Sequence, residues 1–383
     1  MSGTDRPIRL LQINSGNRQF GGISSFLYNL YTHIDVSRVQ FDFLFPYFST
    51  FDAYSGRIEA KGGHVYQLGI SGNTLRGKLE LYSKVRRFLK GKAYPIVHIN
   101  SGNLVFNTVV SRAVRDAGIE HVIVHSHNTE NPSKSALRAR IKQAMKSVLA
   151  RQATEKYACS RAAAGFMFPE AARRGEVSVI HNGLEVNRFA YDEAARRETR
   201  ALLGVQEGHV VGHVGMFNAQ KNQAFLVKAF AKVAQADPRA VLVLVGEGEN
   251  QANVKALVDR LDLSDKVIFT GLRRDLERYY QAFVVFAFPS VWEGFGMVMV
   301  EAQISGLQCI ASTRVSTETD ITGNVQYLDI SEASLDAWAS AILDAFRYEG
   351  RENRVMDAVA AGYDIDTVAE DLTGRYQRMV NRA

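Results

Sequence analysis

What most limits this chain is a repeated alternation of short apolar runs with longer stretches of helical periodicity, and the alternation starts twice. IRLLQI leads through a glycine-containing loop into ISSFLYNLYTHI, after which VQFDFLF, HVYQL, YPIVHI and HVIVHS recur with helical stretches between them. Beyond a polar, Arg-rich connector near Tyr191 to Arg200 the pattern restarts with HVVGHV, AVLVLV, KVIFT, FVVFAF and LQCIAS, and helices begin near Asn222, Asn250 and Gly296. Repetition of this kind favours parallel sheets covered on both faces. A length of 383 residues exceeds the roughly 250–300 at which one core stops growing. The expectation is an α/β protein of two doubly wound, Rossmann-like domains, over residues 1–190 and 191–365, with an amphipathic helix over 366–383. Open sheets of this class bind ligands at the carboxyl ends of their strands, so the chemistry belongs in loops that follow strands.

Four such loops carry candidates. In FPSVWEGFGMVMVEAQISG, Pro289 and Ser290 end a strand, Glu293-Gly294-Phe295-Gly296 forms a loop, and a helix begins near Gly296 with Met297 and Glu301 in its first turns. A helix start offers unpaired N–H groups and a positive dipole end, both suited to phosphate or sugar oxygens. Glu293 and Glu301 can each accept hydrogen bonds from vicinal hydroxyls, one on a hexose and the other on a ribose. The loop Gln19-Phe20-Gly21-Gly22 precedes the first helix, where glycines permit close backbone approach to a diphosphate. Lys221, just before a helix after HVVGHV, can place a point charge on a leaving diphosphate. His127 in Val124-His125-Ser126-His127-Asn128 ends a strand, and His121 and His125 read as structural.

Other features read as architecture. Asp364-Ile365-Asp366 has the spacing of a metal-binding pair but opens the last helix, where capping is the better reading. Gly246-Glu247-Gly248 lacks the third glycine of a dinucleotide fingerprint. Asn182-Gly183 reads as a turn between domains. Cys159 and Cys309 lie in apolar runs and suggest packing thiols rather than a disulfide or metal site.

At the Glu293–Glu301 loop the sequence resembles the retaining glycosyltransferases of family 4, which have the GT-B fold. The likeness spans nearly the whole chain and includes NSGNRQFGGISSFLYNL, HSHNT, VIHNGLEVNRF, GHVGMFNAQKNQAFLVKAF and LVLVGEGE. Its nearest members extend bacterial exopolysaccharide or capsule units on a lipid carrier. The resemblance implies two domains facing a central cleft, the first for the acceptor and the second for the donor, with the last helix returning to the first domain. It also implies hexosyl transfer from a nucleotide diphosphate sugar, a UDP-sugar by preference, with retention of configuration, no cofactor and no bound metal. In the roles it implies, His127 and Glu293 act on the reacting sugar, while Gly21, Gly22, Lys221, Glu293, Gly294, Phe295, Gly296, Met297 and Glu301 hold the donor. Two departures stand out. Met216 occupies a position where the family usually has an arginine, leaving Lys221, Arg18 or Arg273 to supply the charge. His98-Ile99-Asn100 falls where relatives often carry His-x-His.

Charge adds an expectation about location. Residues 1–190 hold 26 Lys and Arg against 13 Asp and Glu, leaving 20 against 27 for the remainder. Such asymmetry points the first half toward an anionic surface, with basic residues concentrated over 75–92 and 134–156. No run reaches the roughly 20 apolar residues that span a bilayer. The protein is therefore expected in the cytoplasm, in peripheral contact with anionic membrane where a lipid-linked acceptor resides. Leu75, Leu79, Tyr82, Val85, Phe88 and Leu89 form a helical stripe that either packs on the sheet or meets that membrane. Alternative readings are a sugar-nucleotide epimerase or hydrolase of the same fold, and a non-catalytic partner subunit. Nucleic acid is disfavoured, because the basic residues lack interleaved aromatics.

Overall fold

The computed structural model describes residues 6–16, 21–71, 74–127, 135–348 and 350–381. The chain forms two compact units, 1–184 with 362–383, and 185–361. The divisions fall a few residues before the expected 190/191 and 365/366, and the chain re-enters the first unit at Gly362.

In the first unit, seven parallel strands are β1 (Ile8–Asn14), β2 (Val39–Phe45), β3 (Val65–Gln67), β4 (Ile96–Asn100), β5 (His121–Ser126), β6 (Glu155–Ala158) and β7 (Ser178–Val179), ordered β3-β2-β1-β4-β5-β6-β7. The helices are α1 (Gly22–His33), α2 (Ser55–Ala60), α3 (Leu75–Leu89), α4 (Leu104–Asp116), α5 (Ala136–Gln152), α6 (Arg161–Met167) and α7 (Pro169–Arg173). Every residue of β2 and β4 is buried, as expected for a sheet covered on both faces. One covering layer is α3, α4 and α5, with α4 in contact with both neighbours. The other contains α1 and the last helix, which pack together.

The α3 stripe splits. Gly77, Leu81, Val85 and Leu89 are buried, whereas Leu75 and Leu79 are 76% and 66% exposed. Leu75 and Leu79 precede Gly77 and Leu81 by two positions each, about 200° around a helix, so they face away from the packed side.

In the second unit six parallel strands, β8 (His209–Val214), β9 (Ala240–Val245), β10 (Val267–Gly271), β11 (Val285–Phe288), β12 (Gln308–Ser312) and β13 (Val325–Leu328), take the order β10-β9-β8-β11-β12-β13. They alternate with α8 (Glu193–Leu203), α9 (Gln223–Ala236), α10 (Gln251–Arg260), α11 (Leu276–Ala282), α12 (Met297–Ile304), α13 (Leu335–Ala345) and α14 (Val355–Ala360). The polar stretch expected to be a connector is the start of α8, capped by Asp192, whose carboxylate accepts from the Ala194 and Ala195 amides at 2.7 and 3.0 Å. Its arginines reach inward: Arg200 donates to the Ala282 carbonyl at 2.9 Å, and Arg196 to those of Gln281 and Phe283 at 3.0 Å each. They thereby satisfy carbonyls that the end of α11 leaves open.

The final helix, α15 (Ile365–Asn381), belongs to the first unit. Asp364 caps it by accepting from the Thr367 amide at 3.1 Å, and Asp366 pairs with His33 at 2.7 Å. Asp364 thus caps the helix as the sequence suggests, whereas Asp366 pairs with α1 rather than capping. Among the described residues no helix is long and apolar enough to cross a membrane, and no group of three His, Cys, Asp or Glu could hold a metal ion. Cys159 and Cys309 are buried thiols.

Candidate functional site

Strand order in the second unit reverses between β8 and β11, and at such a switch point the loops after the two strands part to leave a crevice. Those loops are Gly215–Asn222 and Pro289–Gly296, the two selected from sequence. They are joined: the Val291 amide donates to the Gln220 carbonyl at 2.8 Å, the Gln220 side chain to the Trp292 carbonyl at 2.9 Å, and Asn222 to the Pro289 carbonyl at 3.3 Å. Across this junction Lys221 Nζ lies 2.6 Å from Glu293 Oε1, and 4.6 Å from the centre of the Phe288 ring. Side-chain exposures of 16% and 6% make this a partly desolvated pair, stronger than a surface ion pair and costly to break from one side. Both groups are therefore fixed before any ligand arrives.

Gly296 closes the second loop with φ 95°, and α12 begins at Met297 with no side chain capping it. A side chain at 296 would be strained by this φ and would crowd Phe288, 3.3 Å from an added Cβ. Phe295 is buried, so it offers a ligand its backbone rather than its ring. Glu301, on the second turn of α12, is also buried and accepts from the Tyr280 hydroxyl at 2.8 Å. Burial raises its carboxyl to about 7, against the lowering pull of the Tyr280 hydrogen bond, Arg188 and Lys221. Tyr280 and Arg188 were not singled out from sequence. Arg188 is itself held by Glu277 at 2.9 Å and the Arg274 carbonyl at 3.1 Å.

Met216 is 48% exposed, while its backbone is fixed by the neighbouring loop. The Phe217 amide donates to the Glu247 carbonyl at 2.9 Å, and a Cβ at Gly248 would sit 2.3 Å from the Phe217 carbonyl oxygen. The Gly246–Gly248 segment thus needs glycine for its close packing on the Gly215–Phe217 backbone. Arg273 lies over the Tyr279 ring at 5.5 Å, and Arg18 lies outside the described residues.

In the first unit Gly21 and Gly22 open α1 with no side-chain cap, and a Cβ on either would meet nothing within 4 Å. No described residue demands glycine at either position. Gln19, Phe20 and Asn128 lie outside the described residues.

His127 follows β5 and is one of three neighbouring histidines: its ring lies tilted against His125 with centres 4.0 Å apart, and His125 stacks on His98 at 5.4 Å. Burial pushes His127 and His98 down to about 3 and His125 well below its ordinary value, so all three are neutral. The hydrogen bonds fix which nitrogen of His127 carries the proton. Asn100 Nδ2 donates to Gln12 Oε1 at 2.8 Å and to the His98 carbonyl at 3.2 Å. Its Oδ1 must then accept from His127 Nε2, 3.2 Å away, which leaves His127 Nδ1 unprotonated and with no hydrogen-bond partner among the described residues. Gln12 Nε2 in turn reaches the Tyr376 hydroxyl at 3.4 Å, and that hydroxyl lies 2.8 Å from His98 Nδ1. Asn100 thus orients His127. The buried Asn182, read from sequence as a turn residue, borders the same ring.

Residues 208–362 match the family described as glycosyl transferases group 1, and residues 21–183 match the glycosyl transferase 4-like domain. Bacillus subtilis (strain 168) EpsF, a glycosyltransferase by name, is 32% identical over 93% of each chain. An Escherichia coli enzyme named UDP-Gal:alpha-D-GlcNAc-diphosphoundecaprenol alpha-1,3-galactosyltransferase is 27% identical over 59% of each. Among solved structures, Anabaena HepE in complex with UDP superposes with a TM-score of 0.74 at 21% identity, covering 97% of this chain and 100% of that one. Sucrose-phosphate synthase from Thermosynechococcus elongatus gives 0.79 at 18% identity, covering 98% and 100%. The paired sheets, the loops at their switch points and these matches agree: the chain belongs to the GT-B glycosyltransferases of family 4.

Proposed function

We propose that this glycosyltransferase moves a hexosyl unit from a UDP-sugar to a hydroxyl of a lipid-linked glycan, with retention of configuration, in surface polysaccharide synthesis. The observation that carries the reading is the Lys221–Glu293 pair beside the uncapped start of α12, with Glu301 buried one turn further along. A nucleotide diphosphate sugar presents diphosphate, hexose and ribose in that chemistry. Lys221 meets the diphosphate, Glu293 and the Gly294–Met297 backbone meet the hexose, and Glu301 accepts from the ribose hydroxyls. The neutral His127, with Nδ1 as acceptor, orients a hydroxyl of the reacting sugar or the acceptor. The leaving phosphate oxygen takes the acceptor proton on the face it departs from, so no protein nucleophile is required.

HepE, described in complex with UDP-glucose, and the E. coli enzyme, named for a UDP-sugar and a diphosphoundecaprenol acceptor, support the donor and acceptor classes. The first unit serves as acceptor domain and the second as donor domain. The enzyme works in the cytoplasm at the inner face of the membrane, without cofactor or metal. The test is a nucleotide-sugar panel with membranes carrying lipid-linked acceptors, followed by mass spectrometry. Acceptor-dependent addition of a hexose supports the reading. Hydrolysis or isomerisation without acceptor gives the epimerase or hydrolase, and donor binding without turnover on any acceptor gives the partner subunit.

A further inference from the structure

Glu301 is held from two directions, and both lead to one side chain. Its Oε2 accepts from the Tyr280 hydroxyl at 2.8 Å, and its carbonyl accepts from the Ser305 amide at 3.3 Å, in the last turn of α12. Arg351 joins these two partners: its Nη2 donates to the Tyr280 carbonyl and its Nε to the Ser305 carbonyl, each at 2.8 Å. Its Nη1 adds the Gln281 and Phe283 carbonyls at 2.9 and 2.8 Å. Helix ends leave such carbonyls open, and a cation suits the negative end of a helix dipole. Here the ends of α11 and α12 share one guanidinium, which lies 4.2 Å from the centre of the Tyr191 ring. The segment that carries Arg351 is seated on the end of α12. The Arg354 amide donates to the Ile304 carbonyl at 3.1 Å, and a Cβ at Gly306, whose φ is 72°, would collide with the Glu352 carbonyl. Arg196 reaches the Gln281 and Phe283 carbonyls but not those of Tyr280 and Ser305.

We infer that Arg351 is a positioning residue for Glu301: by tying the Tyr280 carbonyl to the Ser305 carbonyl, it sets α11 and α12 at the spacing at which the Tyr280 hydroxyl reaches the Glu301 carboxylate. A planar guanidinium presents five donors in a fixed fork, so a ring of contacts closes from Glu301 through Ser305, Arg351 and Tyr280 back to Glu301. Burial, with Glu301 beside it, pushes the Tyr280 hydroxyl well above its ordinary range, so it remains the donor. The bond occupies Oε2 and leaves Oε1 with no hydrogen-bond partner among the described residues. Given the ribose role proposed above, on which this inference rests, Oε1 is the oxygen that a ribose hydroxyl meets. Other groups acting on the carboxylate are Arg188 from Val186–Phe189, Glu277 of α11 and Lys221 ahead of α9, while Cys309 of β12 acts on Tyr280. Of all these groups Arg351 bonds Tyr280 alone.

The experiment follows the Glu301 carboxyl without any donor, by carbon NMR of the full chain labelled at its glutamate carboxyls, with Glu301→Gln identifying the resonance. Wild type is compared with Tyr280→Phe, Arg351→Lys, Arg351→Gln, the double variant Tyr280→Phe with Arg351→Lys, and Arg196→Gln. Tyr280→Phe removes a hydrogen bond to the carboxylate and should raise the titration midpoint above about 7 by about one pH unit. Arg351→Lys keeps a charge at the helix ends but cannot fork to both, and should raise the midpoint by at least about half a unit. The double variant should go no higher than Tyr280→Phe alone, because both changes act through one bond. Arg351→Gln should move the midpoint at least as far as Arg351→Lys, and where it does not fold Arg351→Lys decides. Arg196→Gln should lower the melting temperature and leave the midpoint in place, as a general loss at the helix ends does. UDP affinity at pH 7, measured alongside, should fall about fivefold for Tyr280→Phe and at least about twofold for Arg351→Lys, following the ionised fraction. An unmoved midpoint in folded Arg351→Lys, a double variant that adds the two shifts in full, or an equal shift in Arg196→Gln overturns the inference. A midpoint that moves while UDP affinity does not supports the positioning and overturns instead the ribose role proposed above.

Discussion

A buried carboxyl at about 7 makes Glu301 a group whose ionisation opposes folding, and replacing it by its neutral isostere should reveal the cost. Its ordinary value is 4.5 and burial is the main cause of the rise. Between these values the native state binds more protons than the unfolded chain, so this residue's contribution to stability falls as pH rises from about 4.5 to about 7. At 1.36 kcal/mol per unit, the loss between pH 5 and pH 8 is about 2.5 kcal/mol. Glu301→Gln keeps the shape, removes the charge and should abolish this loss. Relative to wild type, the variant should therefore gain about 2.5 kcal/mol in going from pH 5 to pH 8, a rise of several degrees in the melting temperature of a domain of this size. It should lose donor affinity at the same time, because a carboxylate is the stronger acceptor for ribose hydroxyls. In wild type, the ionised fraction falls about tenfold from pH 8 to pH 6, and UDP affinity should weaken in proportion. The assays are urea unfolding of both proteins at pH 5 and pH 8, and calorimetric titration with UDP across that range. A stability difference that does not change with pH, or UDP affinity that is flat from pH 6 to pH 8, refutes the reasoning.

The remaining tests address other residues. Lys221→Gln should weaken UDP binding by at least about tenfold and lower stability through the stranded Glu293 carboxylate; unchanged affinity in a folded variant removes Lys221 from the diphosphate site. Glu293→Ala should cut turnover at least about tenfold while the protein remains folded, and near-normal turnover contradicts its role at the hexose. Met216→Arg has open solvent to extend into and should tighten UDP binding about tenfold, the worth of a charge-assisted pair of hydrogen bonds; a fall in both affinity and rate means the pocket excludes a guanidinium. Tyr376→Phe removes the hydroxyl that ends the Gln12–Asn100–His127 chain and should slow transfer about fivefold, one net hydrogen bond of about 1 kcal/mol, with donor KM unchanged. A rise in donor KM alone would give Tyr376 a different role.

The two-domain plan was legible because strand and helix periods alternate plainly over both halves, and the Glu293–Glu301 loop because its glycines and acids directly follow a buried strand. The boundaries were harder to read: α8 is rich in charge like a connector, yet Arg196 and Arg200 turn inward to carbonyls of α11, a long-range use that composition does not disclose. The α3 stripe, which from sequence could either pack on the sheet or meet a membrane, divides: Leu75 and Leu79 stand about 200° round the helix from the buried Gly77 and Leu81, a difference of phase that the apolar pattern alone hides. Gln12 and Asn100, polar residues inside buried strands, did carry a signal that could have been followed to His127. Tyr280 and Tyr376 carried none, because a tyrosine on an amphipathic helix resembles any core aromatic until the fold brings its hydroxyl to a partner far away in sequence.

The central claim is acceptor-dependent hexosyl transfer from a nucleotide sugar held by the second domain. It is tested most directly by incubating wild type and Glu301→Gln with a UDP-sugar and a lipid-linked acceptor, measuring released UDP and the mass and anomeric configuration of the product. The account predicts that wild type releases UDP only when acceptor is present, in amounts equal to a retained-configuration glycoside one hexose heavier, and that the variant does so at least about tenfold more slowly. UDP release that is independent of acceptor, or a variant as fast as wild type, would contradict it.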